Sequence, residues 1–197
     1  MTQVVVNAGC GVLGGGHVPQ MFEPWRQIRV DIDPTVQPDV LADITDLSAI
    51  PDATADALWS SHCLEHLYAH DVVVALREFG RVLKDDGFLC ALVPDLQVVA
   101  RMVAEDRMHE VLYQSAAGPI TAHDVIFGFG SAIATGRVSM AHRCGFTPSA
   151  MMRYLSAAGF SSYALRRRQG FELALLARKL PTDDPSLWDA LFAGLGL

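Results

Sequence analysis

The segment Val4–Gly16, with the sequence Val-Val-Val-Asn-Ala-Gly-Cys-Gly-Val-Leu-Gly-Gly-Gly, decides the fold of this chain. A run of three valines is typical of a strand buried in a parallel sheet. The glycines that follow let the backbone take positive φ angles and approach a ligand closely. Such a loop presents backbone N–H groups at the carboxyl edge of a sheet, where α/β proteins bind nucleotides. The spacing Gly9-x-Gly11-x-x-Gly14 also fits the dinucleotide fingerprint, so the loop alone does not decide among nucleotide cofactors.

The composition limits the classes of function. A chain of 197 residues with 51% hydrophobic content suits one globular domain with a substantial core. Its 22 acidic and 15 basic residues leave a net charge of −7, which argues against nucleic-acid and anionic-membrane partners. The four cysteines have no paired spacing and are interpreted as reduced thiols. We therefore expect a cytoplasmic protein that acts on a small molecule and binds neither nucleic acid nor membrane.

Acidic residues follow the next predicted strands. Residues 27–33 form a second strand, and Asp31 lies twenty residues after Gly11. A carboxylate in that position can accept hydrogen bonds from both ribose hydroxyls of an adenosine, although it could instead cap the following turn. A third short strand over residues 39–45 would bring the Asp43 carboxylate and the Ile44 backbone to the adenine, but Asp43 alone also suits a loop.

Strands and helices alternate through the first half of the chain. A fourth strand is predicted over residues 56–61. A helix follows over residues 69–84, with apolar residues at i, i+3 and i+4, and Asp85-Asp-Gly87 is expected to end it. Residues 88–93 then form a fifth strand. This alternation predicts right-handed crossovers and a parallel sheet.

Five short motifs occur in a fixed order along this region: Val6–Gly11, Val30–Ile32, Ala42-Asp43, Ser60–Leu67 and Arg81–Phe88. Together they resemble the successive motifs of the class I S-adenosylmethionine (SAM)-dependent methyltransferases, over about residues 3–94. The resemblance implies SAM as cofactor. It also implies an α/β, doubly wound, Rossmann-like methyltransferase fold with a mostly parallel seven-stranded sheet, in the order 3-2-1-4-5-7-6 with strand 7 antiparallel.

The C-terminal part agrees with that resemblance, because a helix starting at Thr147-Pro148 and ending at Gly159 precedes two strands, over about 162–168 and 171–178. Such a helix and hairpin close the sheet in the family. The residues that the resemblance implies for the cofactor site are Asn7, Gly9, Cys10, Gly11, Asp31, Asp43, Ile44, Ser61 and His62.

The domain organisation follows from the same elements. Residues 1–180 form a single methyltransferase domain that carries an insertion over about 96–146, and residues 181–197 form an amphipathic C-terminal helix and tail. The insertion starts as a helix and concentrates His, Asp and Arg, as expected of a lid or substrate wall, although ordinary surface residues would look the same. The tail helix packs either on its own sheet or on a second copy in a homodimer.

Methyl transfer requires little covalent help, because the sulfonium already makes the methyl group electrophilic and alignment supplies much of the acceleration. A hydroxyl or amine acceptor also needs a base. His62 is the first candidate, since it leaves the fourth strand beside the expected methyl position, with a structurally packed histidine as the alternative. His142 and Asp124, which lie in the insertion, are the second candidates. Glu65 and His66 are interpreted as structural.

The residues at the end of the fourth strand limit the possible classes of methyl acceptor. They read Ser-Ser-His-Cys, not Asn-Pro-Pro-Tyr, which argues against methylation of exocyclic amines on nucleobases, and they include no Pro-Cys pair for cytosine C5 chemistry. The predicted function is therefore SAM-dependent methyl transfer to a hydroxyl or amine of a small molecule or sugar. A methyltransferase-like domain that only binds its ligand is the main alternative.

Two further alternatives are less favoured. The segment 62–66, His-Cys-Leu-Glu-His, spells the H-x-x-E-H arrangement of inverted zincins. A zinc hydrolase would need both histidines on one helical face and a third ligand. The segment directly follows a strand and no third ligand is evident, so we expect no metal. A nicotinamide-dependent oxidoreductase is disfavoured because no regular helix begins after the third glycine.

Overall fold

A computed structural model describes residues 2–11, 18–115, 117–169, 171–182 and 184–197 of the chain. The strands are β1 (Val4–Ala8), β2 (Arg26–Asp31), β3 (Val40–Leu41), β4 (Ala55–Ser61), β5 (Leu83–Pro94), β6 (Val111–Ser115), β7 (Gly118–Thr121), β8 (Ser162–Arg168) and β9 (Glu172–Arg178). The helices are α1 (Ala69–Val82), α2 (Leu96–Ala104), α3 (Ala122–Phe127), α4 (Gly130–Ala134), α5 (Pro148–Ala158) and α6 (Pro185–Leu195), and 3-10 turns lie at Gln20–Phe22, Pro34–Val36, Leu64–His66 and Val138–Met140.

The main sheet has seven strands in the order β3-β2-β1-β4-β5-β9-β8. The pairs from β3 to β5 are parallel, whereas β9 pairs antiparallel with both β5 and β8. Because β6 and β7 form a separate hairpin, β8 and β9 are the sixth and seventh strands of the sheet. The predicted order 3-2-1-4-5-7-6, with strand 7 antiparallel, is confirmed.

The two faces of the sheet are covered differently. Alternate residues of a strand point to opposite faces, and Val6 and Val5 accordingly belong to separate cores. On one face α1 and α5 pack against the strands. On the other face Phe192 of α6 and Phe22 of a 3-10 turn join the core around Trp59.

The C-terminal helix α6 therefore packs on its own sheet, the first of the two alternatives that its sequence leaves open. Asp184 caps its N-terminus by accepting from the Ser186 N–H, and Arg166 of β8 lies 4.2 Å over the Phe192 ring and pairs with Asp189. Among the described helices, none has the length and apolar content to cross a bilayer.

The boundary between α1 and β5 differs from the prediction. The helix ends at Val82, and Leu83 already has extended backbone angles and pairs with Ala55. Leu83 is fully buried, so the strand begins there instead of at residue 88. The strand then continues through Gly87, where a side chain would lie within about 3.1 Å of the backbone oxygens of Ala55 and Asp56. The Asp-Asp-Gly sequence is thus part of β5 and does not end the helix. The third strand is also shorter than predicted.

The insertion between β5 and α5 is a packed unit. Asp95, which is 1% exposed, caps α2 by accepting from the Gln97 N–H and also accepts from Arg167 Nε at 2.7 Å. The helix packs on α3 around a small core of Val99, Ala122 and Val125. The insertion therefore has a defined structure at the edge of the sheet where the strands β1, β4 and β5 end.

Candidate active site

A cavity of about 820 Å³ lies at the carboxyl ends of the parallel strands. This is the edge at which open α/β sheets bind their ligands. It is lined by every residue that the sequence places in a cofactor site: Asn7, Gly9, Cys10, Gly11, Asp31, Asp43, Ile44, Ser61 and His62. The topology thus brings the ends of β1, β2 and β4 and the loop after β3 together around one space.

The turn after β1 depends on its glycines. Gly9 and Gly11 have φ angles of +75° and +58°, which L-residues rarely adopt. The Gly9 and Cys10 amides both donate to the Val30 carbonyl at 3.0 Å. A Cβ on Gly9 would lie 2.4 Å from Cys63 Sγ, so the loop after β4 packs directly on this glycine. Gly14 to Gly16 lie outside the described residues.

The Asp31 carboxylate joins β2 to this turn. Its Oδ2 accepts from the Gly11 amide at 2.8 Å and its Oδ1 accepts from the Asp33 amide at 3.0 Å. A carboxylate can accept about four hydrogen bonds, so Asp31 can shape the loop and still bind a hydroxyl in the cavity. In the loop after β3, Asp43 Oδ1 accepts from the Thr45 amide and hydroxyl.

His62 lies at the other end of the cavity and is held by two carboxylates. Its φ is +50°, and its Nε2 lies 2.7 Å from Glu172 Oε1 while its Nδ1 lies 3.3 Å from Glu65 Oε1. Burial favours the neutral ring, but the pairing with Glu172 and Glu65 outweighs it and raises the pKa of His62 to about 10. The imidazole is therefore charged at neutral pH and has no free lone pair. This geometry does not suit His62 to the role of general base.

The charged state of His62 implies that the stability of the fold depends on pH. A histidine whose folded pKa lies above its unfolded value of 6.5 stabilises the fold fully below pH 6.5, and the contribution is lost as the pH rises towards about 10. In chemical denaturation between pH 7 and 10, we expect the unfolding free energy of the wild type to fall more steeply than that of His62→Gln. The His70→Gln control, at a side chain that is 80% exposed, should follow the wild type. Parallel curves for the wild type and His62→Gln would contradict the assignment.

A second, smaller cavity of about 140 Å³ adjoins the first and is lined by all three predicted catalytic residues, His62, His142 and Asp124. His142 Nδ1 lies 2.9 Å from the Val125 carbonyl, and burial lowers the pKa of the ring. His142 is therefore neutral at pH 7, with a lone pair on Nε2. Of the three residues, it is the one that can accept a proton.

Asp124 completes the capping box at the start of α3, whose N-cap residue is Thr121. Its Oδ2 accepts from the Thr121 amide and hydroxyl, and its Oδ1 accepts from the Gly130 amide. Burial favours the neutral acid, but these hydrogen bonds outweigh it and lower the pKa of the carboxyl. A carboxylate engaged in this way is a weak base. These contacts give Asp124 a structural role at the start of α3, and its catalytic role stays a prediction.

Several residues that line the large cavity were not assigned to the site from the sequence. Glu172 and Arg168 come from the terminal hairpin, pair with each other at 3.0 Å and line the large cavity. Glu172 begins β9, which lies beside β5, and Arg168 ends the neighbouring strand β8. The predicted sheet order therefore already implied their position. Arg143 and Met140 line the same cavity. The sequence places them in the insertion interpreted as a lid or substrate wall but assigns neither of them to the site.

The H-x-x-E-H segment does not form the helix of an inverted zincin. Its residues Leu64–His66 form a single 3-10 turn, and His62 lies before that turn with its Nε2 directed to Glu172. His62 and His66 are therefore not paired on one helical face, as a zinc hydrolase of that type requires.

Comparisons with known proteins agree with this geometry. Residues 6–91 match a family model described as a methyltransferase domain. A SAM-dependent methyltransferase from Methanosarcina mazei has a similar structure, with a TM-score of 0.60 and 14% identity over 92% of this chain and 94% of that one. No curated protein sequence matches the chain significantly.

Two ligand-bound structures share the fold. Human N-acetylserotonin methyltransferase in complex with SAM has a TM-score of 0.58 and 16% identity, over 90% of this chain and 48% of that chain. This chain therefore spans about half of the human protein. Burkholderia thailandensis 1,6-didemethyltoxoflavin-N1-methyltransferase, with 1,6-didemethyltoxoflavin and S-adenosylhomocysteine bound, has a TM-score of 0.50 and 17% identity, over 91% and 72%. Residues 6–91 thus match a methyltransferase domain, and the sheet has the strand order that the sequence motifs predict.

Proposed function

We propose that this enzyme transfers the methyl group of SAM to a hydroxyl or amine of a small molecule or sugar. The observation that carries the proposal is the cavity of about 820 Å³, which joins the glycine turn and the acidic ends of β2 and β3 to His62 and the insertion. Its size is within the range of about 300 to 1,000 Å³ that holds a small-molecule ligand. The net charge of −7 also fits a small acceptor better than a nucleic acid.

The described residues fit SAM at one end of this cavity. We assign the ribose hydroxyls to Asp31, because its carboxylate lines the cavity and is held in place by the Gly11 and Asp33 amides. The adenine is assigned to Asp43 and Ile44, which line the cavity beyond β3. When bound, SAM supplies an electrophilic methyl group.

The acceptor is assigned to the opposite end, between His62 and the insertion. Arg143 and Met140 line the cavity there, and Arg143 lies 5.0 Å over the Tyr68 ring, which fixes its position. The charged His62 can donate a hydrogen bond but cannot take a proton. His142 is the neutral histidine next to this end, so it is the residue that can accept the proton of a hydroxyl or amine.

A thermal-shift screen tests the choice of cofactor. We expect SAM and S-adenosylhomocysteine, at about 100 times their dissociation constants, to stabilise the protein by about 2.7 kcal/mol. NAD and NADP should give no shift, since the acidic residues and glycine turn are assigned to the adenosyl cofactor. A shift with NAD alone would contradict the proposal and favour an oxidoreductase.

A turnover assay then distinguishes an active enzyme from a domain that only binds its ligand. The protein is incubated with SAM and a panel of small alcohols, phenols, sugars and amines, and S-adenosylhomocysteine release is measured. We expect turnover with at least one acceptor, and His142→Gln should lower it more than it lowers cofactor affinity. Cofactor binding without turnover across the panel would favour the binding-only alternative.

A further inference from the structure

Three side chains with metal-ligand chemistry converge beside the two cavities. The ligand atoms of Glu65, His66 and His142 all lie within 4.8 Å of one another. Glu65 and His66 come from the 3-10 turn after β4, whereas His142 comes from the end of the insertion. The backbone brings these segments together, because the Arg143 and Cys144 amides donate to the Glu65 carbonyl at 2.8 and 3.3 Å.

Glu65 is the unusual member of this group. Its side chain is 1% exposed, and neither carboxylate oxygen has a hydrogen-bond partner among the described residues. Its Oε1 forms an ion pair with His62 Nδ1 at 3.3 Å, but without the geometry of a hydrogen bond. A buried carboxylate normally accepts several hydrogen bonds or coordinates a metal ion, so the unmet hydrogen-bonding capacity of Glu65 points to a missing ligand.

The two histidines have the same ring nitrogen against a backbone carbonyl. His66 Nδ1 lies 3.2 Å from the Ala141 carbonyl, and His142 Nδ1 lies 2.9 Å from the Val125 carbonyl. A carbonyl only accepts, so in the neutral form of either ring the proton is on Nδ1 and Nε2 is left for a metal ion. Metal-binding histidines typically donate their second nitrogen to a carbonyl or carboxylate, which fixes the tautomer and the ring orientation.

We propose that Glu65, His66 and His142 form a binding site for a divalent transition-metal ion. Two imidazoles and one carboxylate are a ligand set that holds zinc or iron(II) with an open coordination position. Ligands at about 2.1 Å from one ion lie about 3 to 4 Å apart, so the observed spacing within 4.8 Å requires only a small closure of the side chains.

This site is not that of an inverted zincin. There the two histidines of H-x-x-E-H bind the metal and the glutamate is the base. Here His62 Nε2 is occupied by Glu172, Glu65 is itself a ligand, and His142 supplies the third ligand from 76 residues further along the sequence.

The position of the ion suggests its use. His66 lines both cavities, so an open coordination position would face the acceptor end of the large cavity. A metal ion there would lower the pKa of a bound acceptor oxygen, whose proton could then leave to solvent. With the ion bound, His142 would be a ligand, and its role as the base named above would apply only to the metal-free enzyme. The role of the metal rests on the proposed function, whereas metal binding itself does not.

Cobalt(II) titration tests the site directly. The protein is purified without a histidine tag, stripped with a chelator, and titrated with Co²⁺ while visible absorption and the melting temperature are recorded. We expect one Co²⁺ per chain and a rise in melting temperature. Glu65→Gln and His142→Gln should each weaken Co²⁺ binding at least tenfold. His123→Gln is the matched control, because it breaks a second close histidine pair in the described part of the chain, His109 and His123, whose rings are 5.4 Å apart.

The outcomes separate this proposal from the proposed function. Absence of Co²⁺ uptake by the wild type, or wild-type affinity in both Glu65→Gln and His142→Gln, would overturn the metal site. An equal loss in His123→Gln would assign the binding to the surface histidine pair and overturn it too. Should Glu65→Gln fail to fold, judged by circular dichroism, His66→Gln takes its place. Binding of S-adenosylhomocysteine is measured in parallel, and its absence with Co²⁺ bound would count only against the proposed function.

Discussion

Asp31→Ala is expected to weaken the binding of S-adenosylhomocysteine by at least tenfold, which corresponds to about 1.4 kcal/mol. Two effects act together. The variant loses the charged acceptor that we assign to the ribose hydroxyls, and hydrogen bonds to charged groups contribute about 1.5 to 3 kcal/mol. It also frees the Gly11 and Asp33 amides, which the carboxylate now holds at 2.8 and 3.0 Å, so the glycine turn loses its support. Isothermal titration calorimetry measures the change.

Asp46→Ala is the matched control for this variant. Asp46 also accepts from the amide two residues ahead, that of Ser48 at 3.0 Å, but it does not line the cavity. We expect cofactor affinity within about twofold of the wild type in Asp46→Ala. Equal affinity in Asp31→Ala and the wild type would remove Asp31 from the cofactor site and with it the main support for the assignment of the ribose.

Gly9→Ala is expected to have the largest effect on stability, a loss of about 2 to 5 kcal/mol in the free energy of unfolding. The φ of +75° disfavours any L-residue by about 1 to 2 kcal/mol. The added Cβ would lie 2.4 Å from Cys63 Sγ and 2.8 Å from Cys63 Cβ, and such overpacking typically costs about 1 to 3 kcal/mol more. Urea denaturation measures the sum.

Gly11→Ala separates the two effects. Gly11 also has a positive φ, of +58°, but a Cβ there has no atom within 4 Å. We therefore expect a loss of only about 1 to 2 kcal/mol in that variant. If the two variants were equally destabilised, the close packing of Cys63 on Gly9 would have no energetic consequence and the contact between the two loops would be unimportant.

The order of the sheet was predictable because it depends on local patterns that the sequence carries directly. The valine run, the strand endings at Asp31 and Ser61, and the Thr147 to Gly159 helix each mark an element by short-range physical chemistry. The boundary at Leu83 was mispredicted for a different reason. Asp85-Asp-Gly87 resembles a helix end, but the burial of Leu83 against neighbouring strands extends β5 backwards, and local propensity is overridden by tertiary packing.

The candidate site also combines features that local sequence predicts with features that depend on tertiary packing. The residue types and the strand ends at which they occur follow from the amino-acid sequence, because parallel strands place their carboxyl ends on one edge. Their protonation states depend on contacts that form only in the folded chain. The tertiary structure paired His62 with Glu172, from 110 residues away, which makes the ring a cation. It also placed His142 beside Glu65 and His66. The protonation state of a side chain depends on burial and on neighbouring charges, and those neighbours come from segments that are distant in the sequence.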